Sequence, residues 1–389
     1  MSHLIQNYGR FPLTLVKGEG VRVQDDQGKT YLDFTSGIGV TGLGHAHPKV
    51  TQAVQEQAAT LLHTSNLFHH PLGEQVAAKL AALSGLDQAF FCNSGAEANE
   101  AAIKLARKHS QRVHGAHKYE ILTLHDSFHG RTLATVTATC RPAFHEGFHP
   151  LVPGFRYVPK NLDEIEAALS ENTCAILAEP VQGEGGVMPL SVEFLQGLRA
   201  LCDRHGLLLI FDEVQTGIGR TSTMFAYEQA SVTPDILSLA KALGNGVPIG
   251  AMLAKGEVAS AFTPGSHGTT FGGNPLVLSA AWATLNAIEE EGLIANAAEK
   301  SAELEAELQR LVDTYPHVLE QRGLGLMRGL LLDRPVALLV NRCIERGLLV
   351  LNAGANVIRL LPPLILTSAH IEEAVAILET VLQESLQEA

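Results

Sequence analysis

Cysteine is scarce in this chain and scattered along it. The five, Cys92, Cys140, Cys174, Cys202 and Cys343, are odd in number, lie far apart and form no Cys-x-x-Cys. That excludes a disulfide framework or a zinc knuckle and predicts a reducing, cytoplasmic setting. No apolar run approaches the roughly 18 residues that a membrane span requires. The first eleven residues include Gln6, Asn7, Gly9 and Arg10 and hold no apolar stretch of the secretory kind, so no signal segment is expected. Positive charge is short as well: 28 Lys and Arg stand against 41 Asp and Glu, a net charge of −13. Such an acidic chain binds polyanions poorly, and no nucleic-acid partner is expected. Histidines do recur at close spacing (His45 and His47, His125 and His129, His145 and His149), yet HExxH is absent. A metal site needs three or four supported ligands, so solvated or stacked histidines are expected and no metal. Internal repeats and low-complexity tracts are also missing.

What is present is a hydrophobic fraction of 46% over 389 residues. This excludes intrinsic disorder and allows two or three domains with a large core. Short apolar runs alternate with longer amphipathic stretches, the pattern of an α/β fold with a mainly parallel sheet flanked by helices. The expected strands are 89–92, 119–124, 174–178, 207–211, 236–239 and 249–254. Helices are expected over 96–113, 162–170 and 192–205. From Leu276 to Arg310 the chain reads as mostly helical. A smaller α+β unit follows, with strands at 330–332, 348–351 and 357–361 and helices at 335–345 and 368–383. Residues 21–24 and 30–34 read as an N-terminal hairpin.

Polar clusters fall just after five of the strands, where open α/β sheets place their ligands. One tempting motif is set aside. Gly37-Ile-Gly-Val-Thr-Gly42 fits G-x-G-x-x-G, but Gly44 and Pro48 follow and no helix opens on the glycines, as a dinucleotide site requires. Ser94-Gly-Ala-Glu97 lies between a strand and an Ala-rich helix. Ser94 reads either as a plain N-cap or as part of an anion cradle, with Gly95 and Ala96 offering free N–H groups at the positive end of the helix. Asp212-Glu213 closes an all-apolar strand, where a carboxylate is partly desolvated and calls for a cation. Lys241 is a single cation in apolar surroundings, and desolvation makes its amine available as a nucleophile. A lysine for an aldehyde, a carboxylate for a ring nitrogen, a phosphate cradle and a flat side chain are together what pyridoxal phosphate needs. Lys241, Asp212, Ser94–Ala96 and Phe128 supply all four.

The motifs Asn93-Ser-Gly-Ala-Glu-Ala-Asn-Glu100, Phe128-His-Gly-Arg-Thr132, Glu179-Pro-Val-Gln-Gly-Glu-Gly-Gly186, Phe211-Asp-Glu-Val-Gln-Thr-Gly-Ile-Gly-Arg220, Ala240-Lys-Ala-Leu-Gly-Asn-Gly246 and His267-Gly-Thr-Thr-Phe-Gly-Gly-Asn-Pro275 resemble those of class III aminotransferases of fold type I. The resemblance spans nearly the whole chain. It implies pyridoxal 5′-phosphate as cofactor, with Lys241 bonding its aldehyde and Asp212 at its ring nitrogen. Glu213 and Val214 fall beside it, Gln215 lies near the ring hydroxyl, and Phe128 lies on the ring. Ser94, Gly95 and Ala96 would hold the phosphate, with Thr270 completing the cup across a homodimer. Arg131, Thr269, Glu184, Arg359 and Ile38 would meet substrate. The implied domains are residues 46–280 for the large one, and 1–45 with 281–389 for the small one.

Within the family the resemblance is strongest to members that pass the distal amino group of N2-acetyl-L-ornithine to 2-oxoglutarate in arginine biosynthesis. Succinylornithine, ornithine, carrier-linked aminoadipate semialdehyde, or an aminomutase reaction on the same cofactor are the alternatives. Ornithine-type members carry a tyrosine at the position of Ile38, where an apolar residue suits an acylated amine. Glu184 and Arg359 read either as a gate that frees Arg359 for the keto acid or as a permanent ion pair.

Overall fold

The computed structural model describes residues 3–387. Its centre is a seven-stranded sheet in the order Gln88–Cys92, Gly250–Ala254, Ile236–Leu239, Leu208–Asp212, Thr173–Ala178, Glu120–Leu124 and Phe155–Val158. Only Gly250–Ala254 runs against its neighbours; the other pairings are parallel or reached through it. Strands Thr173–Ala178, Leu208–Asp212, Ile236–Leu239 and Gly250–Ala254 are buried at every position. Continuous apolar runs are what a sheet covered on both faces demands.

The helix Gly95–His114 covers one face. Ala98, Ala101, Ala102, Leu105 and Ala106 recur at helical spacing and are buried, so small residues let the helix approach the sheet closely. Ser94 caps it by accepting from the Glu97 N–H at 3.2 Å, a contact of the kind that contributes about 1 kcal/mol. Arg112 and His114 sit at its negative end. On the other side, Pro48–Thr60 and Pro71–Ser84 pack against Pro275–Glu290. Neither of these two early helices was expected from the sequence, because their faces are only partly apolar.

Two four-stranded sheets and the two-stranded pair of Val181–Gln182 with Met188–Pro189 stand apart from the central one. In the first, Leu15–Glu19, Arg22–Asp25 and Thr30–Asp33 are joined by Leu348–Leu349, which pairs in parallel with Leu32 and Asp33. In the second, Val318–Leu324, Met327–Leu332, Val357–Leu360 and Leu351–Asn352 follow one another. Arg359 lies on this second sheet, opposite Gly329 and Leu351. The run expected as one strand over 348–351 is split between the two sheets, since Val350 is the crossing point.

The glycine-rich stretch 37–42 forms a left-handed turn: φ is 46° at Ser36, 62° at Gly37, 68° at Ile38 and 77° at Gly39. For β-branched Ile38 this conformation is costly. Asp33 offsets it by accepting from the Thr35 and Ser36 N–H groups at 2.8 and 3.0 Å, while Ser36 Oγ donates to the Leu361 carbonyl at 2.6 Å. The turn thus binds the N-terminal segment to the residues just after Arg359.

Candidate active site

The carboxyl ends of the central strands meet in a cavity of about 450 Å³. Asn93 to Ala96, Phe128 to Arg131, Glu179, Glu184, Asp212, Val214, Gln215 and Lys241 border it, each at or after the end of a strand. The expected convergence of loops is therefore present.

Asp212 ends its strand and is 4% exposed. Its Oδ2 accepts from His129 Nδ1 at 2.8 Å and from Asn99 Nδ2 at 2.7 Å, and its Oδ1 accepts from the Val214 N–H at 3.0 Å. Three donors hold the carboxylate in one orientation. Asn99 also donates to the His129 carbonyl at 2.8 Å, which locks the pair together. Sequence reasoning missed Asn99 and read His129 as solvated or stacked. In the fold His129 is 2% exposed and belongs to Asp212. The signal available was its position inside the Phe128–Thr132 motif; its partner lies 83 residues away.

Lys241 stands at the first position of a single turn, Lys241–Gly244, with φ of 43°. A non-glycine residue in the left-handed region is a strained feature of the kind that clusters at functional sites. Its amine opens only toward the cavity. Burial, then the nearby Arg359 charge, pushes it down to about 8 against the pull of Glu184, Asp212 and Glu179. Among the described residues no acceptor lies within hydrogen-bond distance of it. Glu179, which sequence reasoning also missed, accepts from the Phe128 N–H at 2.9 Å. Burial pushes its carboxyl up to about 7. It fixes the backbone that presents the Phe128 ring.

The start of helix Gly95–His114 faces the same cavity. A side chain at Gly95 would meet Val214 at 2.6 Å, so glycine lets the helix start lie close against Val214. Gly130, at φ of 138°, packs its bare Cα against Thr135 and Ala96. Glu184 and Arg359 form a 2.5 Å ion pair, Arg359 being 3% exposed. Burial alone would raise the Glu184 carboxyl, but the Arg359 guanidinium wins and holds it below the usual carboxylate range.

Four expectations need correction or relocation. Glu213 turns away from the cavity: its carboxylate accepts from the Ala226 and Tyr227 N–H groups at 2.8 and 2.9 Å and supports that turn. Successive strand residues point to opposite faces, so Asp212 and Glu213 cannot both face the ligand. Ile38 is 42% exposed and does not border the cavity of this chain, whereas Val40 does. Thr269 and Thr270 border a separate surface groove of about 700 Å³ with residues 64–70. Thr270 is exposed in this chain, and Thr269 Oγ1 accepts from Asn93 Nδ2 at 3.2 Å. Among the described residues, no group of three His, Cys, Asp or Glu side chains is arranged for a metal ion.

The donor set fits pyridoxal phosphate. It combines an enclosed amine without a partner, a carboxylate held from behind, bare helix N–H groups and the buried, unpaired Gln215 Oε1.

Comparison with known proteins agrees with that chemistry. The aminotransferase class-III family profile matches residues 4–382. The acetylornithine aminotransferase of Gloeobacter violaceus is 51% identical over 382 residues, covering 97% of this chain and 95% of that protein. That of Methanocaldococcus jannaschii is 50% identical, with 98% and 96% covered. Among solved structures, the ornithine aminotransferase of Toxoplasma gondii superposes with a TM-score of 0.95 at 33% identity, over 100% of this chain and 94% of that one. The acetylornithine aminotransferase of Elizabethkingia anophelis gives 0.88 at 36%, over 98% and 96%.

Proposed function

The chain belongs to the class-III aminotransferases, and we propose from that premise how its own residues carry out the reaction. It is a pyridoxal-phosphate-dependent enzyme that transfers the distal amino group of N2-acetyl-L-ornithine to 2-oxoglutarate, giving N-acetyl-L-glutamate 5-semialdehyde and L-glutamate, a step of arginine biosynthesis.

When bound, the cofactor supplies an aldehyde that takes up the amino group and a conjugated ring that accepts the electron pair left on the substrate carbon. The protein does the rest. Lys241 Nζ would hold the aldehyde of the cofactor and, when free, would accept and return the proton of the reacting carbon; an amine pushed down to about 8 suits both roles. Asp212, pinned by Asn99 and His129, keeps a negative charge at the ring nitrogen. Ser94, Gly95 and Ala96 hold the phosphate with N–H groups and the helix dipole. Phe128 would cover the ring face and Val214 and Gln215 its edge, with Val40 on the wall of the same cavity.

Substrate recognition rests on charge. Arg131 meets the carboxylate remote from the reacting carbon. Arg359 meets the near carboxylate of 2-oxoglutarate and is held by Glu184 while the amine donor is bound. The large domain comprises residues 46–280 and the small one residues 1–45 with 281–389. The enzyme works as a cytoplasmic homodimer in which Thr270 completes the phosphate cup of the second copy. Exposed Leu67, Phe68 and Phe271, flanking the groove that holds Thr270, support such an interface.

The observation that carries the reading is the partnerless, enclosed Lys241 amine facing a carboxylate held by three donors. The test is a donor panel with 2-oxoglutarate: acetylornithine, ornithine and 4-aminobutyrate. Acetylornithine should turn over most efficiently. Preference for either free amino acid would overturn the assignment.

A further inference from the structure

Arg141 takes no part in any role described so far, yet its charge is unmet and reaches Glu184 on the cavity wall. It precedes the short helix Pro142–His145. Its Nε is buried without a hydrogen-bond partner. Among the described residues, no carboxylate lies within ion-pair distance of it and no acceptor within reach of its guanidinium.

Its position is bracketed by an aromatic ring. The Phe144 ring lies edge-on to Phe128, centroids 6.2 Å apart, and so belongs to the wall behind the cofactor-facing ring. Arg131 Cζ lies 3.5 Å from the Phe144 centroid, and Arg141 Cζ lies 5.8 Å from the same centroid. Arg131 borders the cavity and, like Arg141, has no carboxylate partner in the chain. Two guanidinium groups thus flank one ring, and both are unpaired.

A ring face partly balances a cation but brings no countercharge. The nearby carboxylates are already committed elsewhere. Glu184, which feels the Arg141 charge, is paired with Arg359. Asp126, which acts with Arg141 on the Cys140 thiol, is paired with Lys160 at 3.3 Å. What remains is an anion brought by the ligand. Both substrates bring one to this end: the α-carboxylate of the acylated amine, and the carboxylate of 2-oxoglutarate remote from its keto group.

We propose that Arg141 is a second substrate-binding arginine, which shares the remote carboxylate with Arg131 across Phe144. This rests on the transamination reading given above. Arg131 and Arg141 together make a seat for one carboxylate used in both half-reactions, whereas Arg359 serves only the keto acid.

The test uses the holoenzyme with Arg141→Gln and Arg141→Lys. Calorimetric titration with glutarate, an unreactive dicarboxylate, reads binding without turnover. Losing one charge-assisted contact should weaken glutarate by about tenfold in Arg141→Gln, with partial recovery in Arg141→Lys. KM should rise by a similar factor for both acetylornithine and 2-oxoglutarate, with a smaller change in kcat. Pentylamine brings no carboxylate, so its single-turnover rate should change much less. Three results would each overturn the proposal: a loss confined to 2-oxoglutarate, which would mean that Arg141 acts through Glu184 and Arg359; an equal loss that includes pentylamine; or unchanged glutarate binding. If wild-type enzyme fails to turn over either substrate yet glutarate binding still depends on Arg141, the transamination reading falls and the carboxylate seat stands.

Discussion

Lys241 offers the most direct check on the electrostatics of the site. An ordinary lysine titrates near 10.5, and burial with the help of Arg359 brings this one down to about 8. At about pH 7.5 a group titrating at 8 is neutral in about a quarter of molecules, against about one in a thousand for an ordinary lysine. The neutral amine is the reactive form, so Lys241 in cofactor-free enzyme should react some two hundred times faster than its surface counterparts if intrinsic nucleophilicity is equal. Competitive acetylation with trace acetic anhydride across a pH series, read by mass spectrometry of the Lys241 peptide, gives the midpoint directly. Arg359→Ala should raise that midpoint part of the way, because burial, the larger cause, remains. Glu184→Gln should lower it, since Glu184 favours the charged amine. The same shift sets a stability profile. A lysine depressed in the folded state binds fewer protons there than in the unfolded chain between about pH 8 and 10.5, so stability should rise with pH across that window. Below about pH 8 the buried charge is a standing cost. Cofactor-free Lys241→Met should accordingly be more stable than wild type near neutrality, by about 1–3 kcal/mol, with the gap closing toward pH 10. A labelling midpoint near 10.5, or one indifferent to Arg359→Ala, would refute the reasoning.

Asp212→Asn should keep the fold and lose activity by about two to three orders of magnitude. His129 and Asn99 force its oxygen toward themselves, leaving an NH₂ group where a charge had been; stopped-flow half-reactions would reveal it, and near-normal rates would show that another group holds the ring proton. Glu184→Gln should slow the acetylornithine half-reaction more than the 2-oxoglutarate one, and Arg359→Ala should do the reverse; equal losses in both halves for both variants would leave only a structural pair. Mixing Lys241→Ala with Thr270→Ala subunits should restore activity above both parents, through heterodimers with one intact site. No gain on mixing would mean that Thr270 acts within its own chain.

Much of the site was legible in order along the chain because its parts follow strands whose apolar runs are unmistakable. Val192–His205 and Ile236–Leu239 have the bounds expected of them, and the polar residues after the central strands border one cavity. Ser94–Ala96, Asp212 and Lys241 were readable because each sits at a strand end, where a desolvated charge or a helix N-terminus has few other uses. The early helices Pro48–Thr60 and Pro71–Ser84 were not, since half-buried helices show weak periodicity.

The amino-acid sequence by itself determined the layer architecture, the cofactor chemistry and the polar residues that gather at the strand ends, because those depend on local apolar patterning and on residue type. Only the tertiary structure decided which neighbours share a task. Strand alternation sends Glu213 to the Ala226–Tyr227 turn while Asp212 faces the cavity. Folding brings Asn99 and His129 behind Asp212 across 113 and 83 residues, and it sets Val40 on the cavity wall. It also sets Arg141 beside Phe144 with no anion of its own. These are relations between side chains far apart in sequence, fixed by packing and charge balance in three dimensions, and no spacing along the chain encodes them.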